Sequence, residues 1–238
     1  MRKLSEKVFR TVIANAVIVV TILAVYVIGF LSPTTVPISG SGGVQGIYHG
    51  NRENSYVSLM FNVYSGTEHV LKIMDVLAEY NVRATFFVGG CWADDNEDAL
   101  RRMAKEGHEI ASHGYFHRDH KKLSEKQNEE EMIATERVIE ALSGVQITLF
   151  APPSGSYGEA SLKVCEKLGY KMILWSKDTI DWRDKDSALV FKRATKDVKG
   201  GDLVLMHPTA HTVVALPQIL EEYRKRGLTQ VTVSQNLA

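Results

Sequence analysis

The sequence predicts an α/β chain, a barrel or partial barrel of about seven parallel strands, preceded by a single N-terminal transmembrane helix. Three observations predict it. Short apolar runs alternate with helical periodicity from Ser55 onward, the pattern of a parallel sheet with crossover helices. Polar residues of catalytic type stand directly after several of those runs, where α/β folds keep their chemistry. A run with no charged residue, Thr11 to Leu31, follows a basic N-terminus.

Arg2, Lys3, Lys7 and Arg10 precede that run. At about 1.5 Å rise per residue it is long enough to cross a bilayer core of roughly 30 Å. The basic flank leaves the N-terminus cytoplasmic and the rest of the chain outside, at the cell membrane. A cleaved signal peptide is the alternative. The run exceeds the usual apolar core of about 7–15 residues, and no small-x-small cleavage site follows it. Residues 1–31 are thus expected to form the tip and anchor. Residues 32–54, rich in Ser, Thr, Pro and Gly toward Gly50, are expected to be a linker, and 55–238 a folded domain.

A chain of 238 residues with 45% hydrophobic residues can bury one sizeable core. A formal net charge of zero removes any global electrostatic case for nucleic acid as a partner. Two cysteines, Cys91 and Cys165, do not make a disulfide framework. Strands are expected at Val57–Phe61, Ala84–Val88, Glu109–Ala111, Thr148–Phe150, Lys171–Leu174, Leu203–Met206 and Gln230–Val233. Helical periodicity fills the intervals Glu68–Tyr80, Glu97–Lys105, Glu125–Leu142, Glu159–Leu168, Ser187–Asp197 and Val213–Arg226. Gly107, Gly144, Gly169 and Gly227 fit helix C-cap positions.

The stretch His113-Gly114-Tyr115-Phe116-His117 follows the third strand. Two imidazoles four residues apart at a strand end suit a divalent metal, because neutral His is a common zinc ligand. Asn62 follows the first strand, and Cys91, Trp92, Asp94 and Asp95 the second. Pro152, Pro153 and Gly155 follow the fourth, Asp178, Asp181 and Trp182 the fifth, and His207 the sixth. Parallel strands would bring all of these to one mouth. Other polar residues have structural explanations. His120 lies in a charged stretch expected to be a solvated loop, and Glu129–Glu131 is expected on a helix surface near its N-terminus. His108 is expected to be structural, His211 to cap or be exposed, and Trp175-Ser176-Lys177 to finish a buried strand.

From about Ser55 to the C-terminus the chain resembles the polysaccharide deacetylases, the NodB-homology group known as carbohydrate esterase family four. That resemblance implies a distorted (β/α) barrel that removes acetyl groups from amino sugars with a divalent metal, usually zinc. The family's motif H-[ST]-x-x-H is met by His113 and His117, with Gly114 at the small position. D-x-x-D-W is met by Asp178, Asp181 and Trp182, and L-x-H by Leu205-Met206-His207. Two motifs depart. Where the family reads TFDDG, this chain reads Met60-Phe61-Asn62-Val63-Tyr64, so Asn62 stands at the base and Val63 at the metal-binding aspartate. Where it reads R-x-P-x-G, this chain reads Ala151-Pro152-Pro153-Ser154-Gly155. The arginine and the base it holds are lost together, which fits the cost of a partly buried guanidinium without its carboxylate.

The resemblance implies His207 as general acid oriented by Asp181, with Asn62 at the third catalytic position. It implies His113 and His117 as metal ligands; Asp94, Asp95 and Cys91 are the nearby candidates to complete the set, Asp94 first. Pro153, Ser154, Trp182 and Tyr115 are implied to meet the sugar, with the Ser154 backbone N–H serving the oxyanion. The function so implied is deacetylation of an extracytoplasmic glycan, peptidoglycan or a chitin-like oligosaccharide, by a rearranged active site. The alternative is a catalytically silent relative that binds cell-wall glycan or a wall-associated partner.

Overall fold

The computed structural model describes residues 45–238, together with Asn15, Ala16, Val19 and Val20, which are helical. The expected membrane span Thr11–Leu31 therefore lies almost wholly outside the described residues. Among the described residues no helix is long and apolar enough to cross a membrane. The chain divides into two units, Met1–Ser41 and Gly42–Ala238, and the second carries everything described below.

Eight strands form one curled parallel sheet: β1 (Tyr56–Val63), β2 (Thr85–Val88), β3 (Glu109–Ser112), β4 (Leu149–Phe150), β5 (Lys171–Met172), β6 (Lys177–Asp178), β7 (Asp202–Met206) and β8 (Thr229–Gln230). The order is β5-β4-β3-β2-β1-β7-β6, and β8 pairs with the start of β1. Seven strands on one path, with helices between them, form a distorted (β/α) barrel. The helices are α1 (Thr67–Glu79), α2 (Gly90–Asp95), α3 (Glu97–Lys105), α4 (Glu125–Ser143), α5 (Glu159–Leu168), α6 (Ser187–Thr195), α7 (Ala210–Lys225) and α8 (Val233–Leu237).

β1 lies at the centre and is buried at every residue but the first, as a parallel strand covered on both faces must be. Its side chains alternate. Leu59, Phe61 and Val63 face the large core between sheet and helices. Met60 faces the smaller interior cluster, with Phe87, Ala111, Ala151 and Leu205. Asn62 shares the interior face with Met60. Helix ends follow local chemistry. Ser124 and Gln127 make a reciprocal capping box on α4, Asp186 caps α6 and Thr209 caps α7. Gly144 and Gly169 close α4 and α5 in the left-handed conformation.

Four differences from the expected elements appear. One is the added strand β6, where Lys177 and Asp178 pair with Val204 and Leu205 of β7. The other three have local causes. α2 is too short to show helical periodicity. The last expected strand is cut to Thr229–Gln230, because Thr232 and Gln235 form a capping box that starts α8 at Val233. Residues 47–50, expected in the linker, pair with the sheet: Ile47 bridges Ile173 and His49 bridges Asp202.

The anchor of that segment is Asp202, 2% exposed. Its carboxylate accepts from Arg52 Nη1 at 2.6 Å, from Ser176 Oγ at 2.8 Å and from the Lys199 N–H at 2.9 Å. Burial pushes its pKa up, but these donors outweigh burial and hold it below the ordinary 3.8. A depressed carboxylate contributes stability that is present above the unfolded pKa and lost as pH falls through the folded one. Asp202→Ala should cost roughly 3 kcal/mol at neutral pH, the lower end for a buried pair because Arg52 keeps some solvent. Its stability should also fall less steeply than wild type below about pH 4, the ordinary aspartate range. Urea unfolding across pH 2.5–7, values chosen to straddle about that range, checks both.

Candidate active site

A cleft of about 530 Å³ opens at the carboxyl ends of the strands. Asn62, His113, His117, Ser154, Asp178, Trp182 and His207 line it, so the ends of β1, β3, β4 and β7 converge as expected, while Asp178 arrives on β6 rather than after the expected fifth strand. Tyr64, Ser65, Trp175, Pro208 and Thr209 line it as well. Trp175 thus belongs to the cleft wall rather than to a buried strand.

One side of the cleft is organised by Asp181, which has no exposed surface. His207 Nδ1 donates to Asp181 Oδ1 at 2.8 Å, and the His207 backbone N–H donates to Oδ2 at 2.7 Å. Thr212, in the first turn of α7, donates its hydroxyl to Oδ2 at 2.6 Å. The carboxylate fixes the proton on Nδ1 and leaves Nε2 for the cleft. His211 contacts the Asp181 carbonyl through Nε2, so it supports this loop rather than being freely exposed. Arg193 holds the loop from α6, donating to the Thr179 carbonyl at 3.0 Å and to Asp184 at 2.6 Å. Asp178 accepts from the Ile180 N–H at 2.8 Å, which supports Ile180 at φ 53°.

The other side carries the histidine pair. His113 Nδ1 donates to the Ala151 carbonyl at 2.8 Å, which leaves Nε2 as its free lone pair. Burial, and then the neighbouring His117, holds the His113 imidazole down to about 3. Burial also lowers His117. Both rings are neutral at physiological pH, and they meet edge to face with centroids 5.1 Å apart. His117 has the left-handed φ of 54°, a strained conformation for a residue other than glycine.

The loop between the histidines is held by residues that the sequence pattern places on the surface. Glu131 is 4% exposed, and its Oε2 accepts the Tyr115 and Phe116 N–H groups at 2.8 Å each. His120 is fully buried, not a solvated loop residue, and donates to Asn128 Oδ1 at 2.7 Å. Gly114 has φ 76°, and a Cβ there would come within 2.7 Å of His120 Nε2, so the small position admits only glycine. His108 is structural, as expected, and accepts the Ala84 N–H at 3.3 Å.

The structure does not bring every expected residue to the cleft. Asp94 lines a separate acidic depression with Asp95, Asn96 and Thr67, beyond α2, because the helix carries it away from the β2 end. Cys91 and Asp95 also lie outside the cleft. Tyr115 packs its ring against Gly90, where a Cβ would meet it at 2.2 Å, and does not line the cleft. Pro153 is buried beneath the chain turn that presents Ser154 at φ 56°.

These residues do not fit a catalytic zinc. Such a site takes three protein ligands. Among the described residues no three His, Cys, Asp or Glu side chains lie close enough to hold a metal. Val63 is turned into the outer core by the alternation of β1. Asn62 brings only an amide, whose buried Oδ1 has no partner.

The strand-end cleft thus carries a histidine pair on one wall and a carboxylate-held histidine on the other. The family described as polysaccharide deacetylase matches residues 49–173, and the chain belongs to that family of hydrolases acting on carbon–nitrogen bonds other than peptide bonds. It is 33% identical to the protein YlxY of Bacillus subtilis (strain 168), over 79% of this chain and 59% of that protein. It is 30% identical to a peptidoglycan-N-acetylglucosamine deacetylase of Bacillus cereus, over 78% of this chain and 70% of the relative. Among solved structures it is similar to a CE4 family pseudoenzyme from Bacillus anthracis, with TM-score 0.79 and 30% identity, over 82% of this chain and 69% of that one.

Glu131→Ala leaves two partly buried N–H groups without their acceptor. The expected cost is about 1–3 kcal/mol. Amide hydrogen exchange should accelerate at Tyr115 and Phe116 before it does at β1, and protection unchanged at both positions would refute the clamp.

Proposed function

We propose that this chain deacetylates amino sugars of an extracytoplasmic glycan such as peptidoglycan, slowly, from a cleft whose acid half is complete and whose base half is replaced. The observation that carries the reading is the saturated, fully buried Asp181 that aims His207 Nε2 into the cleft. The peptidoglycan deacetylase of Bacillus cereus among the relatives supports the choice of substrate.

In the reaction, water adds to the acetamido carbonyl carbon and the carbon–nitrogen bond breaks. His207 Nε2 takes a proton from the adding water and hands it to the leaving amine, while Asp181 keeps the other ring proton on Nδ1. The products are acetate and a free amino sugar. The Ser154 turn lies at the cleft wall, where its backbone N–H would face the oxyanion. Trp175 and Trp182 supply apolar walls for the acetyl methyl. Asn62 stands where the family has its base, and the carboxylate in the cleft lining among the described residues is Asp178. The described ligand set is too small to hold a catalytic metal at this corner.

Acetate release from a chitin-type oligosaccharide or a peptidoglycan fragment should be weak and should depend on His207. His207→Ala should lower it about 10²- to 10⁴-fold, and Asp181→Asn should lower it less, by misorienting the ring. Asn62→Asp with Ala151→Arg should raise it, since the pair restores a base with its partner. A mutant of the Bacillus anthracis pseudoenzyme has restored enzymatic activity. Wild-type release no greater than that of His207→Ala would sink the enzyme reading.

A second reading, a silent glycan-binding relative, is favoured by Asn62 and Val63 in place of two carboxylates and by the similarity to that pseudoenzyme. Retained saccharide affinity without acetate release would establish it. We further propose that Thr11–Leu31 anchors the domain outside the cell membrane, on its length and basic flank. Protease added to intact cells should then remove the domain, and protection in sealed cells would overturn the topology.

A further inference from the structure

We infer that the corner of the cleft where a metal would sit has been rebuilt as an aromatic platform that binds the pyranose ring of an N-acetylated amino sugar without metal. The inference rests on the reading that this cleft takes amino sugars, and it assigns to Tyr64 the role of anchor.

Tyr64 is the residue after Val63, at the position where the family's first motif has glycine. A glycine there would leave the space beside the histidine pair open. In this chain the Tyr64 ring lies against the His117 ring, with centroids 4.5 Å apart and planes at 32°. Its other neighbour is Gly89 at the end of β2, where a Cβ would stand 3.3 Å from Tyr64 Cδ2. The Gly89 N–H donates to the Val63 carbonyl at 2.8 Å, so the backbone that carries Tyr64 is tied to the β2 end. The ring is therefore seated on a fixed support, and 45% of the residue remains exposed to the cleft.

The imidazole of His117 is engaged face-on by this ring and edge-on by His113. An imidazole packed against a phenol at this angle presents a surface for apolar contact. Opposite, Trp182 lines the same cleft and is 61% exposed. Large aromatic faces left open at a polar cleft mark binding sites, because burying them on a ligand yields a large apolar contact at little conformational cost. Between the two walls lies Asn62 Oδ1, buried and without a hydrogen-bond partner. An orphaned acceptor at a cleft floor asks for a donor. An acetamido N–H or a ring hydroxyl supplies one, and both occur on an N-acetylated amino sugar. Apart from Asp178, whose carboxylate accepts the Ile180 N–H, the groups here are an amide, imidazoles, a phenol and an indole. An uncharged amide sugar suits it, and a divalent cation does not.

The test is calorimetric titration of the full chain with the tetramer of N-acetylglucosamine, with and without EDTA, beside elemental analysis for metal and an acetate assay on the same samples. Wild type should bind equally in EDTA, within about twofold, while carrying less than stoichiometric metal. Tyr64→Ala should weaken binding about tenfold or more, the size expected when an aromatic anchor is truncated, and Trp182→Ala should act in the same direction. Tyr64→Phe should keep most of the affinity, because the ring and not the hydroxyl does the stacking. Both residues are substantially exposed, so the variants should fold. Binding that is lost in EDTA and restored by zinc, or binding untouched by Tyr64→Ala, overturns the platform while leaving the amino-sugar reading in place. Tetramer binding to no form of the protein overturns both.

Discussion

The alternation of side chains along β1 is the constraint on which the rest of this molecule depends. β1 pairs with β7 along one side and, along the other, with β8 at its start and β2 over its second half. Its outward row, Leu59, Phe61 and Val63, seats the helices, and Phe61 stacks on Phe86 of β2 at 5.2 Å. Its inward row, Met60 then Asn62, ends in the floor of the cleft. A shift of one residue would exchange the two rows, putting Asn62 into the apolar core and Phe61 into the cleft. Register and chemistry are therefore specified by the same residues.

That constraint explains which parts of the molecule were legible in its sequence. The apolar runs that became β1, β2, β3 and β7 are bounded by turns and interrupted by helical periodicity, so their number and order could be read directly. The histidine pair and His207 stand immediately after such runs, and their convergence follows from parallel strands, whereas Asp178 and Asp181 reach the cleft through the short added strand β6 beside β7. Contacts remote in sequence were not legible. Glu131 lies among other glutamates near a helix start, where negative charge already has a local explanation, and only the packing of α4 against the β3 loop shows that its carboxylate is spent on two backbone N–H groups. His120 sits between charged residues, and its burial depends on Asn128 reaching back from the same helix. Asp94 failed for a different reason. A residue six positions after a strand can point inward or away, and a six-residue helix too short to leave a periodic signature turned it away.

The replaced residues form a consistent set once placed. Ala151 has no exposed surface and packs in the interior cluster, while its carbonyl receives His113. A guanidinium there would need a carboxylate at Asn62 to offset its desolvation, and a carboxylate at Asn62 would need the guanidinium. Removing both leaves neither a guanidinium nor a carboxylate unpaired at these two positions. Asp178 remains as the carboxylate on that side, satisfied by the Ile180 N–H and open to the cleft.

The two walls of the cleft are held by different forces, and this bears on what each can do. On the acid wall a buried carboxylate receives three donors from two chain segments, so the His207 ring is oriented by charge-assisted hydrogen bonds. On the opposite wall the ligand-type histidines are held by a carbonyl, by aromatic stacking and by a strained backbone pinned through Glu131. Hydrogen bonds to a carboxylate fix direction, which is what proton delivery needs. Stacking fixes a plane and leaves sliding within it, which suits the flat face of a sugar ring better than the set distances of a metal shell. The same fold thus keeps a directional half and gains a planar one, and the boundary between them runs through the unpartnered amide of Asn62.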